Sequence, residues 1–359
     1  MATTLNPTPA AFCLSSALPD LRWSTDQAEV RVRLYYQHPA QLIIDTTLAA
    51  ANGFVKLYET RELIERYMRH NGLARAYPIA IQHYETENGN YWQGDGALTV
   101  LFCEKNLELP DGSTSGWLER NFLSTRSVNR LPSVKETVER LFFVQPQGTP
   151  PNPSLHVTYV DDLGGIASSD IELEASYNPS LTNLFVCEFS VAALLNSIGD
   201  AVNIIGVTVS VGDRHMEYYR PARRENVAFR FLNAFNVSES AYLNATVNRK
   251  TDDGRKIAHV AGHLAHYDRK PVTEYEVQTA PLSFEEADWI DQLITSPEVT
   301  LLDGTPVIIT DGTAECKNDN AEMNAAKFSF KELDQRHSLA TDQQTANIFT
   351  VPPHSYQFS

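Results

Sequence analysis

Three histidines fall close together in the pattern His259-x3-His263-x2-His266, and imidazole is the commonest protein ligand for zinc and related metals. On a helix these offsets would bring all three rings to one face. The surrounding residues, Lys256 to Tyr267, follow the hairpin signal Asp253-Gly254 and sit among strand-like runs, which predicts an extended chain instead. On one regular strand His259 and His263 share a face and His266 points away, so a three-histidine site is lost. There is also no acidic neighbour of the His-Glu-x-x-His kind to act as a base. No metal ligand is assigned, and whether His259 and His263 alone hold an ion is left open.

Carboxylates pair at Asp161-Asp162, just before Gly164-Gly165, and at Glu285-Glu286. The first pair reads as a turn and the second as the first turn of a helix, where the helix dipole favours negative charge. Neither sits in the spaced oxygen pattern of a calcium loop. Gly94-Asp95-Gly96 reads as another turn, and no nucleophile elbow, phosphate loop or dinucleotide fingerprint occurs. Cys13, Cys103, Cys187 and Cys316 are scattered without a Cys-x-x-Cys pair, and are read as free thiols, mostly buried. Cys187 lies in an apolar strand, where an inert thiol is expected. Asn236-Val-Ser238 and Asn244-Ala-Thr246 match the glycosylation rule by coincidence, since no secretory leader is seen. The chain is therefore read as a non-enzyme, with no catalytic residue and no cofactor. The side chains nominated for interaction are Tyr91, Trp92, Trp117, Tyr218 and Tyr219, aromatics in or near loops of the kind used at protein interfaces and sugar platforms.

The 359 residues are enough for two domains or one large one with appendages. Apolar residues make up 42% and charged residues 21%, the usage of a folded chain. A formal charge of -16 works against phosphate-backbone binding, so nucleic acid is not an expected partner. Met1–Ala10 lacks a basic stretch leading into an apolar one, which predicts synthesis in the cytoplasm. No window reaches the roughly 18 apolar residues of a membrane span.

Val30 to Leu34 alternates apolar and basic residues, the period of a half-buried strand, and Asn52-Gly53 marks a tight turn. Helices are expected after Thr60, after Ser133 with Glu136, over Val191 to Ile198 ending at Gly199, and after Ser283 with Glu286. Strand signals are dense from Val227 to Thr310, with Ser240 to Asn248 and Lys256 to Tyr267 each read as one strand. The expected class is mainly β with a few short helices, arranged as two β-sandwich-like domains. Residues 1–20 form an N-terminal arm, 21–150 the first domain, 151–334 the second and 335–359 a polar tail, with the boundary at the proline-rich run Gln145 to Pro153. A weak internal duplication matches Val30–Tyr36, Phe54–Tyr58, helix 61–70 and Tyr77–Tyr84 with Ile171–Tyr177, Leu184–Phe189, helix 191–198 and Val202–Val211.

From Phe229-Arg-Phe231-x-Asn233-x-Phe235-Asn236 and Glu239 onward, the chain resembles uncharacterised structural proteins of tailed phages and prophages of gut anaerobes. Val277-Gln-Thr279-Ala-Pro281-Leu282, Glu285-Glu-Ala287-x-Trp289-Ile290-x-x-Leu293 and Ser296-x-x-Val299 continue the likeness, which is strongest over about residues 227–335. Asn52-Gly53-x-Val55 leading to Leu63-Ile64-x-x-Tyr67 is similar in layout. The resemblance implies a virion component of the tail or baseplate, acting by oligomeric assembly with itself and other virion proteins. A glycan- or receptor-binding module using the loop aromatics is the alternative.

Overall fold

The computed structural model describes all residues except 1–2, 9–11, 38–39, 71–75, 86–90, 110–112, 146–149, 174–175, 178–183, 200–202, 253–255, 261–262, 269–271, 316–323 and 334–359. The side chains of 76–77, 85, 176–177, 256–260, 263–268 and 315 are likewise outside the description. The fold is mainly β with four short helices among the described residues. None of those helices is long and apolar enough to cross a membrane. Cys316 and the 335–359 tail lie outside the described residues.

The first unit runs through β1 (Thr4–Leu5), β2 (Phe12–Leu14), β3 (Leu21–Ser24), β4 (Glu29–Gln37), β5 (Ala40–Ala49) and β6 (Phe54–Leu57), then α1 (Thr60–His70), β7 (Ala76–Glu85) and β8 (Tyr91–Leu101). These strands make two sheets, β1-β3-β6 and β2-β8-β7-β4-β5. Alternation decides what faces inward: Val30, Val32 and Leu34 are buried while Arg31 and Arg33 between them face out. α1 adds Ile64 and Met68 to the same core as Trp23 and Val100. Asn52 and Gly53 have φ of 53° and 82°, the left-handed pair that a two-residue hairpin requires between β5 and β6. Gly94-Asp95-Gly96 is not the expected turn. β8 runs straight through it, and the register slips by one between Ile81 and Gln82, so Asp95 is the extra residue of a bulge. The expected arm is also absent as such, because β1 pairs with β3 and β2 lies parallel to β8, covering the apolar Leu5, Cys13 and Leu14.

α2 (Thr114–Arg120), capped by the Ser113 hydroxyl, leads into the second unit. There follow β9 (Val128–Arg130), β10 (Val138–Val144), β11 (Ser154–Val160), β12 (Ile166–Glu172), β13 (Ser176–Tyr177), β14 (Leu184–Ser190), α3 (Val191–Ile198), β15 (Asn203–Val211) and β16 (Arg214–Tyr219). The sheets are β10-β14-β13 and β12-β11-β15-β16-β9. The five-stranded sheet repeats that of the first unit strand for strand, β2-β8-β7-β4-β5 becoming β9-β16-β15-β11-β12, while the smaller sheets differ in where their third strand is added. In each case the three-residue outer strand is parallel to its neighbour and the remaining pairs are antiparallel. In each, too, the helix follows the strand that pairs with the first long strand of the smaller sheet, β6 with β3 and β14 with β10. The duplication expected from the sequence matches these elements except at one place. The counterpart of β4 is β11, whereas Ile171–Tyr177 straddles the end of β12 and β13. No helix follows Ser133: Val138 to Phe143 alternates at period two, and β10 starts after a single turn in which Thr137 N–H donates to Val134 O.

The third unit contains β17 (Val227–Leu232), β18 (Ser238–Leu243), β19 (Ala245–Asp252), β20 (Lys256–Val260), β21 (His263–Asp268), β22 (Val272–Thr279), α4 (Phe284–Thr295), β23 (Val299–Leu301), β24 (Pro306–Glu315) and β25 (Ala325–Glu332). Seven of the strands form one sheet, β18-β17-β23-β24-β25-β22-β19, and β20-β21 stand apart as a ribbon. The large sheet curls over on itself, because Phe229 of β17 meets Phe328 and Phe330 of β25 with ring centroids 5.6 and 5.3 Å apart. The Ser283–Glu286 capping box starts α4 as expected, and α4 lies on β24 at Gly312, where a Cβ would come within 2.6 Å of Ile294.

Among the described residues each unit has its own core, so there are three and not the two expected. The proline-rich run is not a boundary, since Leu141 and Phe143 before it share the second core with Leu155 and Val157 after it. A fourth cluster joins the units, with Leu14 and Leu101 from the first, Trp117 and Leu118 of α2, Val144 and Leu184 from the second, and Phe235 and Val237 from the third. Beside it Arg214 is 2% exposed. Its guanidinium donates to the carbonyls of Leu118 (2.7 Å), Val144 (2.9 Å) and Val211 (3.4 Å) and stands over the Phe143 ring at 5.2 Å. Arg214→Ala leaves these buried carbonyls short of donors and is expected to lower stability by about 3 kcal/mol or more. Arg214→Lys should recover little of it, since one ammonium cannot match the planar fork. Urea denaturation midpoints of the two variants check both expectations.

Candidate functional site

The five aromatics nominated for interaction part company. Trp117, on α2, and Tyr218, on β16, are 7% and 3% exposed, so neither can serve a partner; period-two alternation turns Tyr218 inward with Met216, and α2 turns Trp117 onto Phe235, centroids 5.2 Å apart. Tyr91 and Tyr219 are 45% and 38% exposed. Trp92 is half-buried on the outer face of β8, where the Arg33 guanidinium lies 4.0 Å from its ring centroid and Tyr84 packs edge-on at 5.2 Å. A cation already occupies that ring face.

The histidine cluster is a hairpin and not one strand. β20 pairs with β21 so that His266 lies opposite Ile257, Leu264 opposite His259, and His263 opposite Val260. The single strand expected over Lys256 to Tyr267 is thus two paired strands. The ring positions lie outside the described residues. Among the described residues no group of three or more His, Cys, Asp or Glu is placed to hold a metal ion. Burial pushes the thiols of Cys13 and Cys103 up to about 11 and that of Cys187 up to about 12, so the reactive thiolate is suppressed at all three.

Two buried polar assemblies escaped the sequence reading. In the first unit the bulge aims Asp95 inward, where it accepts from Trp23 Nε1 and bonds His83 Nδ1, both at 2.8 Å. An Asp–His pair orients imidazole for acid–base work in many enzymes. Here the His83 and Asp95 side chains are 2% and 5% exposed between two sheets, closed to any substrate; both belong to the larger sheet, and the Trp23 bond to Asp95 ties it to the smaller one.

The second assembly lies where β18 wedges between the second and third units, buried along nearly its whole length. Ser124 Oγ, Asn233 Nδ2 and Trp289 Nε1 donate to the Glu239 carboxylate at 3.0, 2.7 and 3.0 Å. Arg126 stacks over Trp289, 4.1 Å from its ring, and Arg130 reaches Glu286 at 3.0 Å. On the other face of β18, the Tyr242 hydroxyl donates to Glu139 of β10. Burial raises both carboxyls; the donors to Glu239 and the charge of Arg126 oppose its rise, and Glu139 is pushed from 4.5 up to about 7. A signal for this was available: Glu139 is in phase with Leu141 and Phe143, and Glu239 with Ala241 and Leu243.

Outside these buried groups, the prominent surface features are strand edges and hairpin tips. Between β11 and β12, Asp161 Oδ1 accepts from Leu163 N–H at 3.0 Å and Gly165 N–H at 2.6 Å, so Asp161-Asp162 is a turn, as expected. That turn holds Leu163 at 90% exposure with Ile166 at 76% beside it. A cleft of about 620 Å³ separates the first and third units, with Met68, Phe102 and Pro297 in its wall and the Arg69–Glu104 ion pair, 2.6 Å, at its side. No protein-family model and no curated protein matches the chain.

Because Glu139 holds its proton more tightly folded than unfolded, its contribution to stability is full below about pH 4.5 and is lost as the pH rises through about 7. Glu139→Gln keeps an acceptor for Tyr242 and removes the titration. The wild type is therefore expected to lose about 3 kcal/mol relative to Glu139→Gln between pH 4 and 8. Parallel urea curves across that range would show a pH-independent difference if Glu139 ionised normally.

Proposed function

We propose that the chain is a non-enzymatic structural component of a phage virion, at the tail or baseplate, which works by assembling with further copies of itself and with other virion proteins. It is made in the host cytoplasm and has its place in the particle. The observation that supports this most is the repeat. Two units whose five-stranded sheets share one strand order give the chain two open sheet edges at matching places, β5 and β12, and open edges are surfaces with which other strands can pair. The side chains with chemical potential, His83, Asp95, Glu139 and Glu239, are all spent on holding sheets and units together. The likeness over residues 227–335 supplies the virion context, and the charge of -16 argues for protein surfaces and against nucleic acid as the partner.

A glycan- or receptor-binding role would rest on Tyr91 and Tyr219 alone, with Trp117 and Tyr218 buried and Trp92 covered by Arg33. The assembly reading is tested by light scattering on the purified 40.1 kDa chain, with electron microscopy of any large species. A ring or a defined multimer is the expected result. A single 40.1 kDa species over a wide concentration range, alone and with the other particle proteins, would overturn it.

A further inference from the structure

Two buried acids stand at the joint between the second and third units, and they are not met alike. Glu239 has three donors at 2.7 to 3.0 Å and the charge of Arg126 to hold against burial. Glu139, 2% exposed, accepts from the Tyr242 hydroxyl, and no ion pair reaches it among the described residues. It shares a strand face with Leu141 and Phe143, so its carboxyl points into the second core. The space beside it is about 10 Å³, room for one water at most. Val237 to Ser240 of the third unit form part of the wall of that space. One hydroxyl and one water are too little to hold a carboxylate, and the closed joint therefore favours the neutral acid.

Burial is the largest influence on the Glu139 carboxyl and favours its neutral form; the charge of Glu239 adds to this, and the Tyr242 hydroxyl, Arg230 and Ser240 oppose it. Burial also drives up the Tyr218 hydroxyl of β16, the Tyr242 hydroxyl of β18 and the Cys187 thiol of β14, so none of these three titrates near neutrality. Arg140, next along β10, is turned outward and pairs with Glu188 at 2.6 Å.

We propose that this joint is a proton-operated latch: with Glu139 neutral, β18 stays seated against β10, and loss of that proton lets the third unit part from the second while each keeps its own core. β18 pairs with β17 alone, so parting breaks no sheet. What it breaks are side-chain bonds, among them Tyr242 to Glu139, Asn129 Nδ2 to Ser240 O at 3.5 Å and the Arg130–Glu286 ion pair at 3.0 Å. The stack of Trp117 on Phe235 carries no titratable group and serves as the pivot. Each opening releases one proton to solvent and hydrates the carboxylate. Glu139 thus goes from about 7 in the closed joint towards its ordinary 4.5 in the open one. The opening constant is flat below about pH 4.5, climbs up to tenfold per pH unit and levels above about 7, a rise of about 300-fold in all. The latch works within a single chain and does not depend on assembly.

The test is amide hydrogen exchange of the full chain from pH 4 to 8, corrected for intrinsic rates, in the wild type and in Glu139→Gln. Joint peptides over 122–131 and 233–243 are expected to open about 300-fold more often at pH 8 than at pH 4 in the wild type and to show no such rise in the variant. The core strands β15 and β24 should still be protected at pH 8 when the joint has exchanged. Should Glu139→Gln not fold, the wild type decides alone, with β4 to β8 of the first unit as the comparison that shows no rise. Joint peptides without a rise would overturn the latch. So would a rise that persists in Glu139→Gln, which puts the proton on Glu239, and so would joint and cores exchanging together, which means that ionisation unfolds whole units.

Discussion

A carboxylate taken out of water has to be met by donors, and meeting Glu239 fixes where distant stretches of the chain go. Ser124 comes from the link after α2, Asn233 from the turn after β17 and Trp289 from α4. Asn233 also donates to Leu123 O at 2.8 Å and accepts from Phe235 N–H at 3.0 Å, so the same side chain that meets Glu239 sets the turn bringing Phe235 to Trp117. Remove the carboxylate and three donors lose their shared acceptor at once. The angle between the second and third units is thus specified by polar geometry as well as by apolar contact.

The first two units obey one plan but are finished differently. The first uses the Asp95 bulge to lock its sheets with Trp23 and His83, whereas in the second the bulge lies elsewhere, between β11 and β15 at Thr158 and Tyr159. Over β19 to β25 the third unit keeps the order of a strand, a hairpin, a strand, a helix and a final strand pair, with the short β23 added between the helix and that pair. There the final pair joins the first strands in one curled sheet, and the hairpin β20-β21 is left as a separate ribbon.

Local signals were legible where a few neighbouring residues decide the conformation. Asn52-Gly53, the alternation of β4 and the Ser283–Glu286 cap all stand where the sequence puts them. The unit boundaries were not legible, because they are made by contacts between residues far apart in the chain and carry no linker composition. The proline-rich run misleads because it carries the chain from β10 in one sheet to β11 in the other within a single core, and a crossover between sheets can have the same composition as a linker between domains. Trp117 could not be placed, since seven residues of α2 are too few to show a face, and its burial depends on Phe235 far along the chain. The buried acids were legible in principle, being in phase with apolar neighbours, but an acidic residue on a strand is ordinarily read as its solvent side.

The parallel strands β2 and β9 set an order on how the molecule can be made. Phe12 lies opposite Thr99, so the first sheet cannot be completed until most of the first hundred residues have left the ribosome, and β2 must wait for β8 with its apolar face uncovered. β9 waits in the same way for β16, the last strand of its own unit. Each unit is contiguous in sequence and can close before the next is synthesised, which keeps the two look-alike strand sets from pairing with each other. β18 follows both in the chain, so its wedge can be added once they have closed, and synthesis from the N-terminus can thereby keep a duplicated chain from pairing across its own repeat.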